Sequence, residues 1–273
     1  MGILNVTGDS FFPPSRISGT EEAVRRALAM VEDGADILDI GAESTRPGAL
    51  PVPECEEIKA LIPVVEAVRR ALPDMPISVD TRRTRAASLS LEAGADIVND
   101  VSGLDLPDES RDMLALLAVR RVPYVLMHTK GTPDVMQISP CYKDLFLELM
   151  DFFERKIELL TKSGVSKERI ILDPGVGFGK RCKDNLEIIA RVGEFKKFGL
   201  PILIGVSRKG FIGKLLELGG LETSTSPENC MEGTLAVSAL CAMEAVEIVR
   251  VHDVRENRRV IEVADAIRRS RDV

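Results

Sequence analysis

The sequence GADILDI at residues 34–40 and its near copy GADIVND at 94–100 decide the fold. Each copy follows a stretch with helical periodicity. Its glycine is placed to end that helix, because glycine readily takes the left-handed conformation found just beyond helix C-termini. The apolar residues that come next indicate a short buried strand. The repeated unit is therefore a helix, a glycine turn and a strand.

Eight apolar segments of this kind occur along the chain, and we predict strands at 2–6, 36–41, 76–80, 96–99, 123–128, 169–173, 201–206 and 247–252. They are rich in Ile, Val and Leu without strict alternation, which is typical of parallel strands buried on both faces. The helical segments between them supply the crossovers that parallel strands need. We therefore predict an α/β fold in which residues 1–273 form a single (β/α)8 TIM barrel domain. An open doubly wound sheet is the alternative.

The composition excludes several classes of function. The 273 residues include 43 acidic and 36 basic side chains, and the net charge of -7 gives no general attraction to nucleic acids or anionic membranes. No apolar run reaches the roughly 18 residues of a membrane span, and the N-terminal sequence has no signal-peptide pattern, so we expect a cytoplasmic protein. Five scattered cysteines form no disulfide framework, and two histidines exclude a three-histidine zinc site.

Nearly every predicted strand ends in or beside a polar residue. The set consists of Asn5, Asp39, Asp80, Asn99, His128, Asp173, Ser207, Arg250 and His252. In a parallel barrel all these strand ends lie on one face, which is where barrel enzymes keep their active sites. Any one of these residues could instead cap the helix or turn that follows it. Their recurrence at strand after strand favours an active site.

Two glycine-rich stretches resemble catalytic loops but lack residues those loops require. DPGVGFGK at 173–180 has Pro174 where a P-loop needs glycine, and GVSRK at 205–209 has Lys209 where a nucleophile elbow needs its second glycine. The acidic and amide groups at the strand ends can accept hydrogen bonds from ring N–H groups. The cations that could bind an anion are Arg46, Arg208, Lys209, Arg250 and His252. The expected ligand is a heterocycle linked to a phosphate group.

The chain resembles the dihydropteroate synthases of folate biosynthesis in eight ordered motifs. These are GILNVTGDSF (2–11), DIGAESTRPG (39–48), SVDT (78–81), NDVSG (99–103), LMHTKGTP (126–133), LDPGVGFGK (172–180), GVSRKGFIG (205–213) and RVHD (250–253). The resemblance implies a (β/α)8 barrel, a homodimer and a magnesium-dependent transferase that is a sulfonamide target. Such an enzyme joins 6-hydroxymethyl-7,8-dihydropterin pyrophosphate to p-aminobenzoate and releases 7,8-dihydropteroate and pyrophosphate.

The resemblance also implies roles for single residues. The pterin would be bound by Asp80, Asn99, Asp173 and Lys209, in a pocket lined by Met127, Phe178 and Gly205. The pyrophosphate and Mg²⁺ site would consist of Asn5, Arg250 and His252, with Asn5 as the metal ligand. The p-aminobenzoate site would be framed by Phe11, Thr45, Arg46, Pro47, Ser207 and Lys209. Asp9 would belong to the first of two loops that close over the substrates, and Asp80, Lys209 and Arg250 would be the catalytic residues.

Departures from the family pattern keep other functions open. Gly8 stands where the family usually has proline, and FPPS at 12–15 replaces its common Ser-Asp-Gly-Gly run. The competing functions are a pterin-binding methyltransferase domain, a non-catalytic pterin-binding relative and, more remotely, a Schiff-base aldolase. Among the neighbouring residues, we expect Lys180 to be solvated beyond its glycine turn, Asp39 to orient the second loop and His128 to be a structural or pocket-lining residue.

Overall fold

The computed structural model describes residues 1–6, 16–42, 52–131, 140–221 and 226–271. Its strands are β1 (Gly2–Asn5), β2 (Leu38–Gly41), β3 (Ile77–Asp80), β4 (Ile97–Asp100), β5 (Tyr124–Met127), β6 (Ile170–Asp173), β7 (Leu203–Ile204) and β8 (Ile248–Val249). Each lies inside or within one residue of a predicted strand, and the observed strands are mostly shorter because only their central residues form ladder hydrogen bonds.

The eight strands are parallel and close into a barrel. Strands β1 to β6 form one sheet in chain order, and β7 pairs with β8. One bridge joins Leu172 to Ile202, and another joins Gly2 to Val251, so the β7–β8 pair connects both edges of the six-stranded sheet. This arrangement confirms the predicted (β/α)8 barrel and rules out the open sheet.

Helices cover the outside of the barrel. They are α1 (Arg16–Glu32), α2 (Glu54–Ala71), α3 (Thr84–Glu92), α4 (Pro107–Arg120), α5 (Leu145–Lys162), α6 (Cys182–Ala190), α7 (Gly210–Leu218), α8 (Met231–Met243) and α9 (Val254–Arg269). Short 3₁₀ turns occur at Lys167–Arg169, Val192–Phe198 and Pro227–Cys230. Among the helices of the described residues, none is both long enough and apolar enough to cross a membrane.

The repeated GADI sequence marks equivalent turns of the barrel. Gly34 and Gly94 have φ values of +96° and +112°, the conformation expected of a glycine that ends a helix. At each copy an arginine from another helix packs over the glycine and pairs with the aspartate of the repeat. Arg258 of α9 contacts Asp36 at 2.8 Å, and Arg69 of α2 contacts Asp96 at 2.5 Å. The internal repeat is therefore structural.

The core has two layers, which explains why the strands are apolar on both faces. The larger layer lies between strands and helices and includes Leu38, Ile40, Val79 and Val98. The smaller layer fills the barrel interior and consists of Ile97, Val125, Ile171 and Leu203, with Met1, Ile37 and Ile248 packed against them. A strand in such a barrel alternates between these two layers residue by residue.

Candidate active site

The inward-facing positions change from apolar to polar at the carboxyl ends of the strands. Two residues beyond Ile97 comes Asn99, and two beyond Ile171 comes Asp173. Because side chains alternate with a period of two, these polar residues continue the interior column of the same strand. The register aligns Asn5 with Gly41, Gly41 with Asp80, and Asp80 with Asn99, so the first four strands present their ends at one level. The predicted clustering at one face is therefore present.

Arg250 is the centre of a charged network that crosses the mouth of the barrel. Its Nε donates to Asp39 Oδ2 at 2.5 Å, and its Nη2 donates to Asp80 Oδ2 at 2.7 Å. Asn99 Nδ2 donates to the same Asp39 oxygen at 3.2 Å. Asp39 is fully buried, so it has no contact with solvent and acts here as an anchor for Arg250 and Asn99. The second loop lies outside the described residues, so its orientation by Asp39 stays a prediction.

Burial shifts the proton affinity of Asp80. Removal from water raises the pKa of its carboxyl to about 7; Arg250 opposes this shift and the neighbouring Asp39 adds to it. The ionised carboxylate accepts hydrogen bonds through both oxygens. With a pKa of about 7, Asp80 gains or loses this capacity within the physiological pH range.

A second charged pair lies on the other side of the mouth. Burial raises the pKa of Asp173, whereas Lys209 lowers it. Burial likewise lowers the pKa of Lys209 to about 8, and Asp173 opposes that shift. The ammonium of Lys209 donates to the carbonyl oxygen of Val176 and stands 4.2 Å from the centroid of the Phe178 ring. The site therefore combines an acid, a cation and an aromatic face.

The loop at 173–180 is shaped by glycine so that it can approach Lys209. Gly177 has a φ of +85°, and a Cβ atom at this position would lie 2.7 Å from Cδ of Lys209. The loop is also fixed from within, because Asp173 Oδ1 accepts from the Gly175 amide at 2.7 Å and Asn185 Oδ1 accepts from the Gly177 amide at 2.7 Å. Gly177 therefore permits a close approach of the backbone to the Lys209 side chain. It is not part of a phosphate-binding loop.

The remaining predicted residues on β5, β7 and β8 have defined positions. Ser207 Oγ lies 3.0 Å from His252 Nδ1 and accepts from the His252 amide at 3.1 Å. Gly205 follows β7 beside Arg250, with its nearest Cβ contact at 3.8 Å, and Met127 ends β5 with 1% exposure. These positions line the same mouth.

Two further cations near the mouth have defined partners. Arg208, proposed as an anion ligand, is paired through Nε and Nη2 with Asp253 at 2.9 and 2.5 Å. Lys180, expected to be solvated, is only 2% exposed and its Nζ lies 2.9 Å from His128 Nδ1. The prediction for Lys180 is wrong because the glycine loop folds its side chain back under β5. His128 is 6% exposed and packs edge-on against Phe152.

Five predicted site residues lie outside the described residues: Asp9, Phe11, Thr45, Arg46 and Pro47. The predicted metal ligand Asn5 ends β1 and is half-buried. Within the ranges that the structure describes, no group of three or more His, Cys, Asp or Glu side chains could enclose a metal ion. Asn5 offers one amide oxygen, a type of donor that Mg²⁺ accepts beside phosphate oxygens and water.

Comparison with known proteins agrees with this geometry. Residues 1–252 match the family model described as pterin binding enzyme. The dihydropteroate synthase of Synechocystis is 42% identical over 98% of this chain and 89% of its own length, and that of Escherichia coli K12 is 41% identical over 97% and 90%. The structure of Yersinia pestis dihydropteroate synthase with a sulfonamide drug complex superposes with a TM-score of 0.88 at 39% identity, covering 98% of this chain and 93% of the other. A Xanthomonas albilineans dihydropteroate synthase with 4-aminobenzoic acid gives a TM-score of 0.85 at 39% identity, with coverage of 98% and 92%. The chain belongs to the pterin-binding enzyme family and, within it, to the dihydropteroate synthases.

Proposed function

We propose that this protein joins 6-hydroxymethyl-7,8-dihydropterin pyrophosphate to p-aminobenzoate, giving 7,8-dihydropteroate and pyrophosphate. The observation that carries the proposal is the convergence of Asp80, Asn99 and Asp173 with Lys209 and Arg250 on the inside of one barrel mouth. A ligand held there needs N–H donors for the acids and an anionic part for the cations. A pterin with a diphosphate arm has both.

The acidic and amide groups would bind the edge of the pterin ring. Asp80 and Asp173 lie on the same face of the barrel, on β3 and β6, and each can accept hydrogen bonds from ring N–H and amino groups. Asn99 can donate to a ring carbonyl or accept from an amino group. Phe178 offers an aromatic surface beside Lys209, which suits a flat heterocycle.

The residues of β1 and β8 would bind the diphosphate. Arg250 supplies positive charge, Arg250 and His252 both supply hydrogen-bond donors, and Asn5 lies on the adjacent strand because β1 and β8 are neighbours in the closed barrel. We propose that Mg²⁺ binds here between Asn5 and the diphosphate oxygens and helps to neutralise their charge. Arg250 would then divide its donors between the diphosphate and the two aspartates that hold it.

Catalysis would consist mainly of stabilising the departing pyrophosphate. The amine of p-aminobenzoate is already a nucleophile, so no strong base is required. As the bond between the methylene carbon and the diphosphate oxygen breaks, Arg250 and His252 stabilise the negative charge on pyrophosphate. Positive charge on the pterin is offset by Asp80 and Asp173. The carbon–nitrogen bond forms, and the amine proton leaves to solvent.

The direct test incubates the purified chain with the pterin pyrophosphate, p-aminobenzoate and Mg²⁺ and measures 7,8-dihydropteroate by chromatography. Omission of Mg²⁺ tests the metal requirement. Asp80→Asn should abolish product formation, whereas Asp36→Asn, at the opposite end of the barrel, should not. Pterin binding without product would favour a non-catalytic pterin-binding protein, and no pterin binding would refute the proposal.

Three further properties stay predictions: a homodimer, binding of sulfonamides in place of p-aminobenzoate, and a location in the cytoplasm. Light scattering after size-exclusion chromatography gives the mass in solution, and a monomeric mass at micromolar concentration would contradict the first. Competition between a sulfonamide and p-aminobenzoate in the product assay tests the second. Fractionation of the source cells tests the third.

A further inference from the structure

The buried ammonium of Lys180 lies next to the proposed pterin pocket and has no part in the mechanism above. Its Nζ is 2.9 Å from His128 Nδ1 and donates to the carbonyl oxygens of His128 at 3.3 Å and Phe178 at 3.0 Å. When Lys180 carries its charge it has only donors, so His128 Nδ1 accepts and the proton of His128 is on Nε2. Three acceptors around a buried lysine meet all its hydrogen-bonding capacity.

These acceptors belong to two segments that must stay in contact for the pocket to form. His128 follows β5 directly, whereas Phe178 lies in the loop at 173–180 that begins with Asp173. The two segments are in close contact, since a Cβ atom at Gly175 would lie 1.9 Å from the carbonyl oxygen of His128. Lys180 therefore joins the far end of the loop to the strand beside it.

We propose that Lys180 is a positioning residue for pterin binding, which holds the loop at 173–180 against β5 so that Asp173 and Phe178 keep their places in the pocket. The inference rests on the proposed function, because it takes the ligand to be a pterin. His128 is the matching acceptor, held in orientation by its edge-on contact with Phe152, whose ring centroid lies 4.8 Å away.

Electrostatics support the same role. The cations that face Asp173 are Lys209, Lys180 and Arg250, and all three lower the pKa of Asp173 against the effect of burial. The charged groups around Lys180 are Asp173, Lys209, Asp184 and Lys130, beside the neutral ring of His128; burial lowers the pKa of Lys180 to about 7. Lys180 is therefore mostly charged at pH 6.5 and mostly neutral at pH 8.5. Its loss should therefore weaken pterin binding more at the lower pH.

The test measures calorimetric binding of 6-hydroxymethylpterin to Lys180→Met at pH 6.5 and 8.5. We expect binding at least about tenfold weaker than wild type at pH 6.5, with a smaller loss at pH 8.5, since hydrogen bonds to charged groups are the stronger ones. Lys183→Met removes an exposed lysine from α6 and should bind like wild type. His128→Asn keeps an acceptor near the position of Nδ1 and should bind nearly normally, whereas His128→Leu should not.

Equal affinity of the Lys180→Met and Lys183→Met variants, or an equal loss at both pH values, would overturn the inference. If Lys180→Met does not fold, the two His128 variants decide, and equal binding by both counts against the role. Formation of dihydropteroate by wild type separates failure of this inference from failure of the proposed function. A wild-type chain that binds no pterin would overturn both.

Discussion

Removal of the Arg250 guanidinium should destabilise the folded chain by about 3 kcal/mol. Asp39 is fully buried and the Asp80 side chain is 10% exposed, so both carboxylates would lose their cation in a place that water hardly reaches. Two hydrogen bonds between charged groups contribute about 1.5–3 kcal/mol each, and breaking a buried ion pair costs about 3–5 kcal/mol. We expect the lower end of that range because Asp80, whose pKa burial already raises to about 7, can take up a proton.

Urea unfolding of Arg250→Met at pH 6 and pH 8.5 measures this loss and its cause. A carboxyl whose folded-state pKa is raised contributes stability that is fully present below its unfolded pKa of about 4 and is lost as the pH rises through the folded pKa. Arg250 lowers the pKa of Asp80, so in the variant this pKa is higher and the loss continues above pH 7. The gap between wild type and variant should therefore be wider at pH 8.5 than at pH 6.

Arg258→Met is the matched control for this experiment. Arg258 also makes two ion pairs, to Asp36 at 2.8 Å and Glu262 at 2.9 Å, but on the outer surface with 41% of its side chain exposed. Exposed pairs contribute at most about 1 kcal/mol, so this variant should lose little stability, and equally at both pH values. A loss below about 1 kcal/mol for Arg250→Met, or one independent of pH, would refute the reasoning.

Three other outcomes are expected. Asp80→Asn and Lys209→Met should each lower turnover at least about 100-fold with unchanged circular dichroism, since a charge-stabilising group typically contributes about 2.7–4 kcal/mol to the barrier; half of wild-type activity in either would contradict the assignment. Gly177→Ala should lower activity far more than Gly199→Ala, because both have positive φ but only Gly177 is pressed against a side chain, that of Lys209. Wild-type kcat/KM for the pterin substrate should rise between pH 6 and 8 as Asp80 ionises, and a flat profile would show that Asp80 does not titrate there.

The sequence predicts the barrel because its signals are local. Apolar segments, glycine turns and helical periodicity each fix a short element, and parallel connections leave few ways to assemble eight of them. The polar residues at strand ends are predicted for the same reason, since each is defined by its position within one strand. Strands β7 and β8 are shorter than predicted because ladder hydrogen bonds depend on neighbouring strands, which no single segment specifies.

Pairings across the barrel mouth could not be predicted in the same way. Arg250 reaches Asp39 and Asp80, 211 and 170 positions earlier in the chain, and nothing local to any of the three indicates the contact. The prediction for Lys180 is wrong because lysines are rarely buried and the burial of this one depends on the path of a glycine loop. For Asp39, the sequence does carry one signal that it faces the barrel interior: it lies two residues before Gly41, on the inward side of its strand.

The span of Arg250 across the mouth has a consequence for how the sequence can drift. Strand β8 has only two ladder residues, yet the side chain that follows it holds on to β2 and β3 on the six-stranded sheet. Replacing Arg250 leaves two buried carboxylates without their cation, whereas replacing one aspartate leaves Arg250 paired with the other. In an alignment of relatives we therefore expect positions 39, 80 and 250 to covary as a triplet, with Arg250 exchanged only where the aspartates have lost their charge. In a lineage that adapts its ligand site at this mouth, the aspartates would have to change before Arg250, because an intermediate that loses Arg250 first would be selected against at the level of folding.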